Sequence, residues 1–228
     1  MSSSAPRDDL DLLRTTALAC GAFVVLLWLI HFLITVSGWD ATALALRPGE
    51  PAGLLGVATA PLIHGSWLHL FGNTLALLVL GIGVLYGTPM AARIALPLIW
   101  IGSGVGVWLF AREAAHVGAS GLTYGMMFFI FFLGILRRDK RSIALSLLVF
   151  FLYGSMIWGI FPGDPGVSFE YHFFGALAGT FSAFLLRHHD PLPVSRPDDW
   201  DDEEPPDDGE PPSTRFFDLQ DPDDRRWF

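Results

Sequence analysis

Six long apolar segments, separated by short polar breaks, limit this chain more than any other feature. They run approximately over Thr16–Val36, Trp67–Tyr86, Arg93–Ala111, Ser120–Leu136, Ser142–Phe161 and Phe169–Arg187. A helix needs about 20 mostly apolar residues to cross a hydrocarbon layer about 30 Å thick. Lipid offers backbone amides no partners, so a spanning segment must satisfy them within its own helix. The expected fold is therefore an all-α membrane protein with six transmembrane helices. Gly- and Pro-containing stretches such as Gly87-Thr88-Pro89 and Phe161–Gly166 supply the breaks.

Composition agrees: 52% of residues are hydrophobic and 16% charged, against about a quarter charged in soluble domains. The charge is uneven. From Asp190 onward there are 14 Asp/Glu and 4 Arg, while the rest of the chain is close to neutral. The organisation expected is a short segment 1–15, a six-helix unit 16–189 and an acidic tail 190–228. The tail is rich in Pro and carboxylates and is expected to be disordered and cytoplasmic. The tail reads first as a solubilising segment; its aromatic end, Arg215–Leu219 and Arg225–Phe228, suits as the alternative a docking site for a cytoplasmic partner. No basic stripe invites nucleic acid. Cys20 is the single cysteine, which excludes an intramolecular disulfide. The first apolar segment lacks a convincing cleavage site and reads as a retained helix.

Lysine and arginine placement orients the spans. Arg7, Arg14, Arg93, Arg137, Arg138, Lys140, Arg141 and Arg187 fall on one side; Arg47 and Arg112 fall on the other. Both termini should then be cytoplasmic, in a plasma membrane if the source is bacterial. The first external loop, Ser37–Pro61, has few charges and many apolar residues. It suits a loop lying partly in lipid as well as one in solvent.

Polar residues inside the spans carry the chemistry, because they are costly there without a purpose. Ser120 opens the fourth span and His172 opens the sixth. His64, His69 and Asn73 lie at the start of the second. Ser120 is 17 residues, about 25 Å, from the cationic end of its span; His172 is 15 residues, about 22 Å, from its own. Asn73 is 14 residues, about 21 Å, from Gly87. Three helices thus place a polar group at a similar depth. A serine is a weak nucleophile until a base takes its proton, and His172 is the candidate base. Asn73 and His69, four apart on one face, supply donors for a developing oxyanion, joined by backbone N–H groups at the helix start. No carboxylate is evident at that depth, so a Ser–His dyad is expected. Tyr124 shares a helix face with Ser120; spacing permits it to stack on His172 or to pack elsewhere in the bundle. Gly121/Gly125 and Gly175/Gly179 form small-x3-small steps that allow close helix approach. No His-Glu-x-x-His pattern occurs, and neither a metal nor another cofactor is expected.

These residues resemble the rhomboid intramembrane serine proteases. His64-x4-His69-x3-Asn73 is similar to the family's second-helix motif, Gly118-Ala119-Ser120-Gly121 to its nucleophile motif, and His172-x2-Gly175 with Gly179 to its sixth-helix motif. The resemblance covers roughly Leu54 to Arg187. It implies a six-helix rhomboid-like bundle of the bacterial form. It implies Ser120 as nucleophile, His172 as general base, and Asn73, His69 and the Ser120 N–H as oxyanion stabilisers. His64 would hold the site's loop and Tyr124 would stack on His172. The implied activity is serine endopeptidase cleavage of other membrane proteins, within or beside their transmembrane segments and near the outer face. The chain departs from the family in its first loop, which lacks a Trp-Arg pair, and at Tyr171, where a small residue is frequent. A non-catalytic relative that binds transmembrane helices for quality control is the competing expectation. A small transporter is a third, and the absence of an inverted repeat weighs against it.

Overall fold

The computed structural model describes residues 5–190. The expected disorder of the acidic tail, apart from Asp190, falls outside that range. The described chain is helical, with a single isolated bridge between Leu46 and His116. The long helices are α1 (Ala5–Ser37), α3 (Trp67–Gly87), α4 (Pro89–Phe110), α5 (Ser120–Arg137), α6 (Lys140–Tyr153) and α7 (Phe169–Leu186), with a short α2 (Leu55–Thr59) between the first two. Five stretches are long and apolar enough to cross a membrane: α1 from Asp9, α3, α4, α5, and Lys140–Ile160, which includes α6. The remaining long helix, α7, carries Glu170 and His172 in its first turns and packs inside the bundle against α4 and α5. The protein is a multi-pass integral membrane protein.

Local chemistry sets the boundaries. Ser66 caps α3 by accepting from the His69 N–H at 3.1 Å, and Ser168 caps α7 by accepting from the Tyr171 N–H at 3.2 Å. Asp139 caps α6, accepting from the Ser142 N–H at 2.9 Å and its hydroxyl at 2.7 Å. Arg138 takes a left-handed conformation just before it, so α5 and α6 reverse within two residues. Pro89 opens α4, where a missing N–H costs nothing.

Three details differ from the sequence reading. The first helix begins at Ala5, well before Thr16. The fifth segment is not one α-helix: it tightens to a 3-10 helix over Gly154–Ile160. Asp190, grouped by composition with the acidic tail, belongs to the bundle. Its carboxylate accepts from the Met90 and Ala91 N–H groups at 2.7 and 2.8 Å, closing the start of α4.

The centre of the bundle is α5, whose residues 120–127 are buried without a break. Its closest partner is α7. A Cβ at Gly175 would strike the Gly121 carbonyl, and one at Gly179 would strike the Gly125 carbonyl. The two small-residue steps therefore form one seam with the backbones in contact. On the other flank α1 lies along α3, where the Trp28 indole donates to the Thr74 hydroxyl at 3.0 Å. The His31 ring meets Trp67 edge-on at 4.4 Å. The first loop folds back on α4. Trp100 and Trp108 donate to the carbonyls of Val57 and Glu50 at 3.1 and 2.9 Å, and Leu46 is completely buried.

Candidate active site

The N-terminal ends of α3, α5 and α7 meet around one cavity of about 970 Å³. Ser120, His172, Asn73, His69 and Tyr124 all line it. His64, Gly118 and Gly121 stand behind that lining and shape it.

Gly118 shows why the loop before Ser120 has its sequence. Its φ is +109°, a region that side chains avoid, and an added Cβ would lie 2.6 Å from His69 Nε2. Its N–H donates to the Ala60 carbonyl at 2.8 Å, tying the loop to the segment before α3. The next residue, Ala119, donates its N–H to His64 Nε2 at 3.4 Å. Chain direction then turns into α5, and Ser120 is the first helical residue, buried but facing the cavity. Its backbone N–H is one of the orphan donors of a helix start.

The His64 ring lies edge-on to His69 with centroids 5.1 Å apart. Burial, helped by neighbouring His69 and His31, pulls its ionisation down to about 3. A neutral ring is what the geometry needs, because Nε2 must accept from Ala119. Asn73, in the cavity lining, donates one amide hydrogen to the His69 carbonyl at 3.2 Å, and its NH2 group has a second to give.

His172 is held from two directions. The Tyr124 ring stacks on it almost parallel, with centroids 4.0 Å apart and a 6° interplanar angle. Of the two arrangements that spacing allowed, stacking is the one adopted. Nδ1 lies 2.9 Å from the carbonyl oxygen of Gly159. A carbonyl only accepts, so Nδ1 carries the proton and Nε2 keeps its lone pair. Among the described residues no carboxylate bonds to His172. Ser120 Oγ and His172 share the cavity without a direct hydrogen bond in this conformation. Such contacts commonly close only when substrate binds.

The rim is an ordered polar cluster. Arg112 donates to the carbonyls of Pro165 and Val167 at 3.1 and 2.8 Å and pairs with the buried Glu170 at 3.3 Å. His116 Nε2 faces the Arg112 carbonyl at 3.1 Å and so must carry the proton, leaving Nδ1 to accept from the Ser168 hydroxyl at 2.6 Å. Burial also holds His116 below the ordinary histidine range. His116 thereby joins the first loop, the loop before α5 and the cap of α7.

The family model for the rhomboid domain matches residues 51–189, which contain the whole of this cavity. The chain belongs to the rhomboid family. Uncharacterized proteins of Mycobacterium tuberculosis and Mycobacterium bovis are each 38% identical to it over 173 residues, covering 72% of this chain and 72% of theirs. An uncharacterized protein of Mycobacterium leprae is 30% identical over 173 residues, covering 72% and 68%.

Within this rhomboid domain, Tyr171 departs from the usual small residue without loosening the packing. It is completely buried, and its ring occupies space that a Cβ at Gly121 would take, 2.6 Å from Tyr171 Cδ2. Gly159 is the site residue that sequence reasoning missed. A Cβ there would collide with Tyr124 Oη and lie 3.3 Å from His172 Nδ1. The available signal was a glycine six residues before the Pro165-Gly166 turn, in a segment otherwise read as helix.

Proposed function

We propose that this rhomboid-family protein is an intramembrane serine endopeptidase that cleaves transmembrane segments of other membrane proteins. One observation carries the reading. The His172 ring presents an unprotonated Nε2 in the same cavity as the Ser120 hydroxyl, with its other nitrogen fixed by the Gly159 carbonyl. Nε2 takes the Oγ proton as Oγ attacks the scissile carbonyl, and the imidazolium then gives that proton to the leaving amine. Negative charge on the tetrahedral oxygen is met by the Ser120 N–H, the free Asn73 amide hydrogen and the His69 ring. His64, Gly118 and Gly121 hold these groups in place. Tyr124 keeps the His172 plane fixed while its charge changes. A scissile bond must first leave its helix, so substrates with helix-weakening residues near the cavity are favoured.

The cation distribution supports a cytoplasmic placement of the α5–α6 turn and both termini, which puts the cavity toward the outer face. A bacterial plasma membrane fits that arrangement. The acidic tail fits a docking role toward a cytoplasmic partner.

The test is cleavage of a reporter transmembrane segment in liposomes. Ser120→Ala should abolish it, and undiminished cleavage by that variant would overturn the proposal. The missing Ser120–His172 hydrogen bond favours a second reading, a non-catalytic member that binds transmembrane helices. A serine-directed fluorophosphonate separates the two. Labelling that disappears in His172→Ala supports the protease, and no labelling of the parent protein supports the binder.

A further inference from the structure

A second cavity, of about 570 Å³, touches a different face of α5. Ser120 and Tyr124 look into the first cavity; Leu122 and Met126 look into this one. Two residues of offset on a helix is a rotation of about 200°, so the two cavities lie on opposite sides of the helix that carries Ser120. Leu77, Leu122 and Met126 are buried and form the floor. The flanks are α1 and α4, and α2 closes one end through Val57 and Ala58. Ala19, Ala58, Pro97 and Ile101 on the rim are exposed, so the space is an open groove.

We propose that this groove binds an acyl chain of a bilayer lipid. Its walls are helices long and apolar enough to cross a membrane, so its open rim faces what surrounds those helices. The lining offers almost nothing polar. Its polar side-chain atoms are the Cys20 thiol and the Trp100 indole nitrogen, and the indole N–H is already given to the Val57 carbonyl at 3.1 Å. Water needs two to four partners, and among the lining side chains only the weak Cys20 thiol is left to it. An extended peptide would leave its amides unpaired. A transmembrane helix is too thick: a cylinder about 10 Å wide takes about 420 Å³ per 5.4 Å turn, so the groove would hold little more than one turn. A hydrocarbon chain is slim, needs no hydrogen bonds and conforms to an irregular slot. Moving it from the bilayer gains packing contacts in an otherwise unfilled space and no hydrophobic transfer energy. Binding is thus set by shape. The bound chain supports Leu122 and Met126, and through them the start of α5.

The test uses the full chain in phosphatidylglycerol vesicles doped with a phosphatidylcholine bearing a diazirine in mid-chain. After irradiation, adducts are mapped by peptide mass spectrometry. The α6 residues Leu148 and Phe151, exposed and outside the lining of this groove, report ordinary contact with lipid. Adducts on Cys20, Leu77 and Met126 should exceed those on α6 several-fold. Ala19→Trp on α1 and Ala58→Phe on α2 block the mouth from two different elements; each should remove groove adducts and leave α6 adducts unchanged. Groove labelling no higher than α6 labelling, or labelling insensitive to both substitutions, overturns the proposal. If a variant fails to fold, the parent comparison between groove and α6 still decides.

Discussion

Replacing Gly159 with alanine tests the proposed base without touching it. The new Cβ would fall inside contact distance of Tyr124 Oη and lie 3.0 Å from Tyr124 Cζ and 3.3 Å from His172 Nδ1. Carbon and its neighbours settle at about 3.5–4.0 Å, so the stacked pair must shift by on the order of 1 Å. A displacement of that size in a catalytic constellation costs about 100-fold in rate. Gly159 lies in a 3-10 segment with a partly exposed backbone, so Gly159→Ala should fold with little change in melting temperature. The assay is cleavage of a reporter transmembrane segment in liposomes, read as kcat, beside a thermal melt. Adding Tyr124→Phe removes the oxygen that obstructs the methyl group and should restore part of the lost rate. Full activity in Gly159→Ala would show that the position of the stacked Tyr124–His172 pair does not control the rate. A loss that Tyr124→Phe leaves unchanged would show that the damage does not pass through the stacked pair.

Other outcomes follow from the same structure. The His64 ionisation is lowered to about 3 from its ordinary value, so the unfolded chain binds more protons than the folded one as pH falls below about 6.5. Stability is then full above that pH and drops by about 2 kcal/mol at pH 5. His64→Gln should flatten part of this slope in melts at pH 7.5 and 5, with His116 leaving a residue of it; an unchanged slope refutes the assignment. Asp190→Ala removes both hydrogen bonds at the start of α4 and should lower stability by about 0.5–2 kcal/mol in a denaturant titration, with kcat retained. A stability equal to the parent's would mean that the α4 start is satisfied another way.

The spans were legible because lipid imposes a length of apolar sequence that little else requires. Ser120, His172 and Asn73 were legible for the converse reason, as polar interruptions of such runs at comparable distances from the opposite end. The α5–α7 seam was readable from Gly121, Gly125, Gly175 and Gly179, because only small residues let two backbones touch. What escaped was whatever depends on backbone atoms or on contacts between loops. The acceptor that fixes the His172 tautomer is a carbonyl, and carbonyls have no residue type. The 3-10 turn that follows α6 at Gly154 packs against α7, a contact between segments that local propensity does not announce. His116 draws its partners from Leu46, Arg112 and Ser168, far apart in the chain. Asp190 was hidden by its own composition, since one capping carboxylate looks like the many that follow it.

The use of a carbonyl at Nδ1 also has a physical rationale. A carboxylate behind the proposed base would have to be buried at the head of α7, and isolating that charge from water costs several kcal/mol per ion. The nearby carboxylate of Glu170 is already compensated by Arg112 at the rim. The Gly159 carbonyl fixes the same tautomer with a neutral dipole and no charge to desolvate. It does less to stabilise an imidazolium than a carboxylate would, and the stacked face of Tyr124 makes up part of that difference by its attraction for a cation. Tyr124→Leu should therefore lose rate beyond what disorder of the ring explains, whereas Tyr124→Phe keeps the aromatic face and should remain close to the parent.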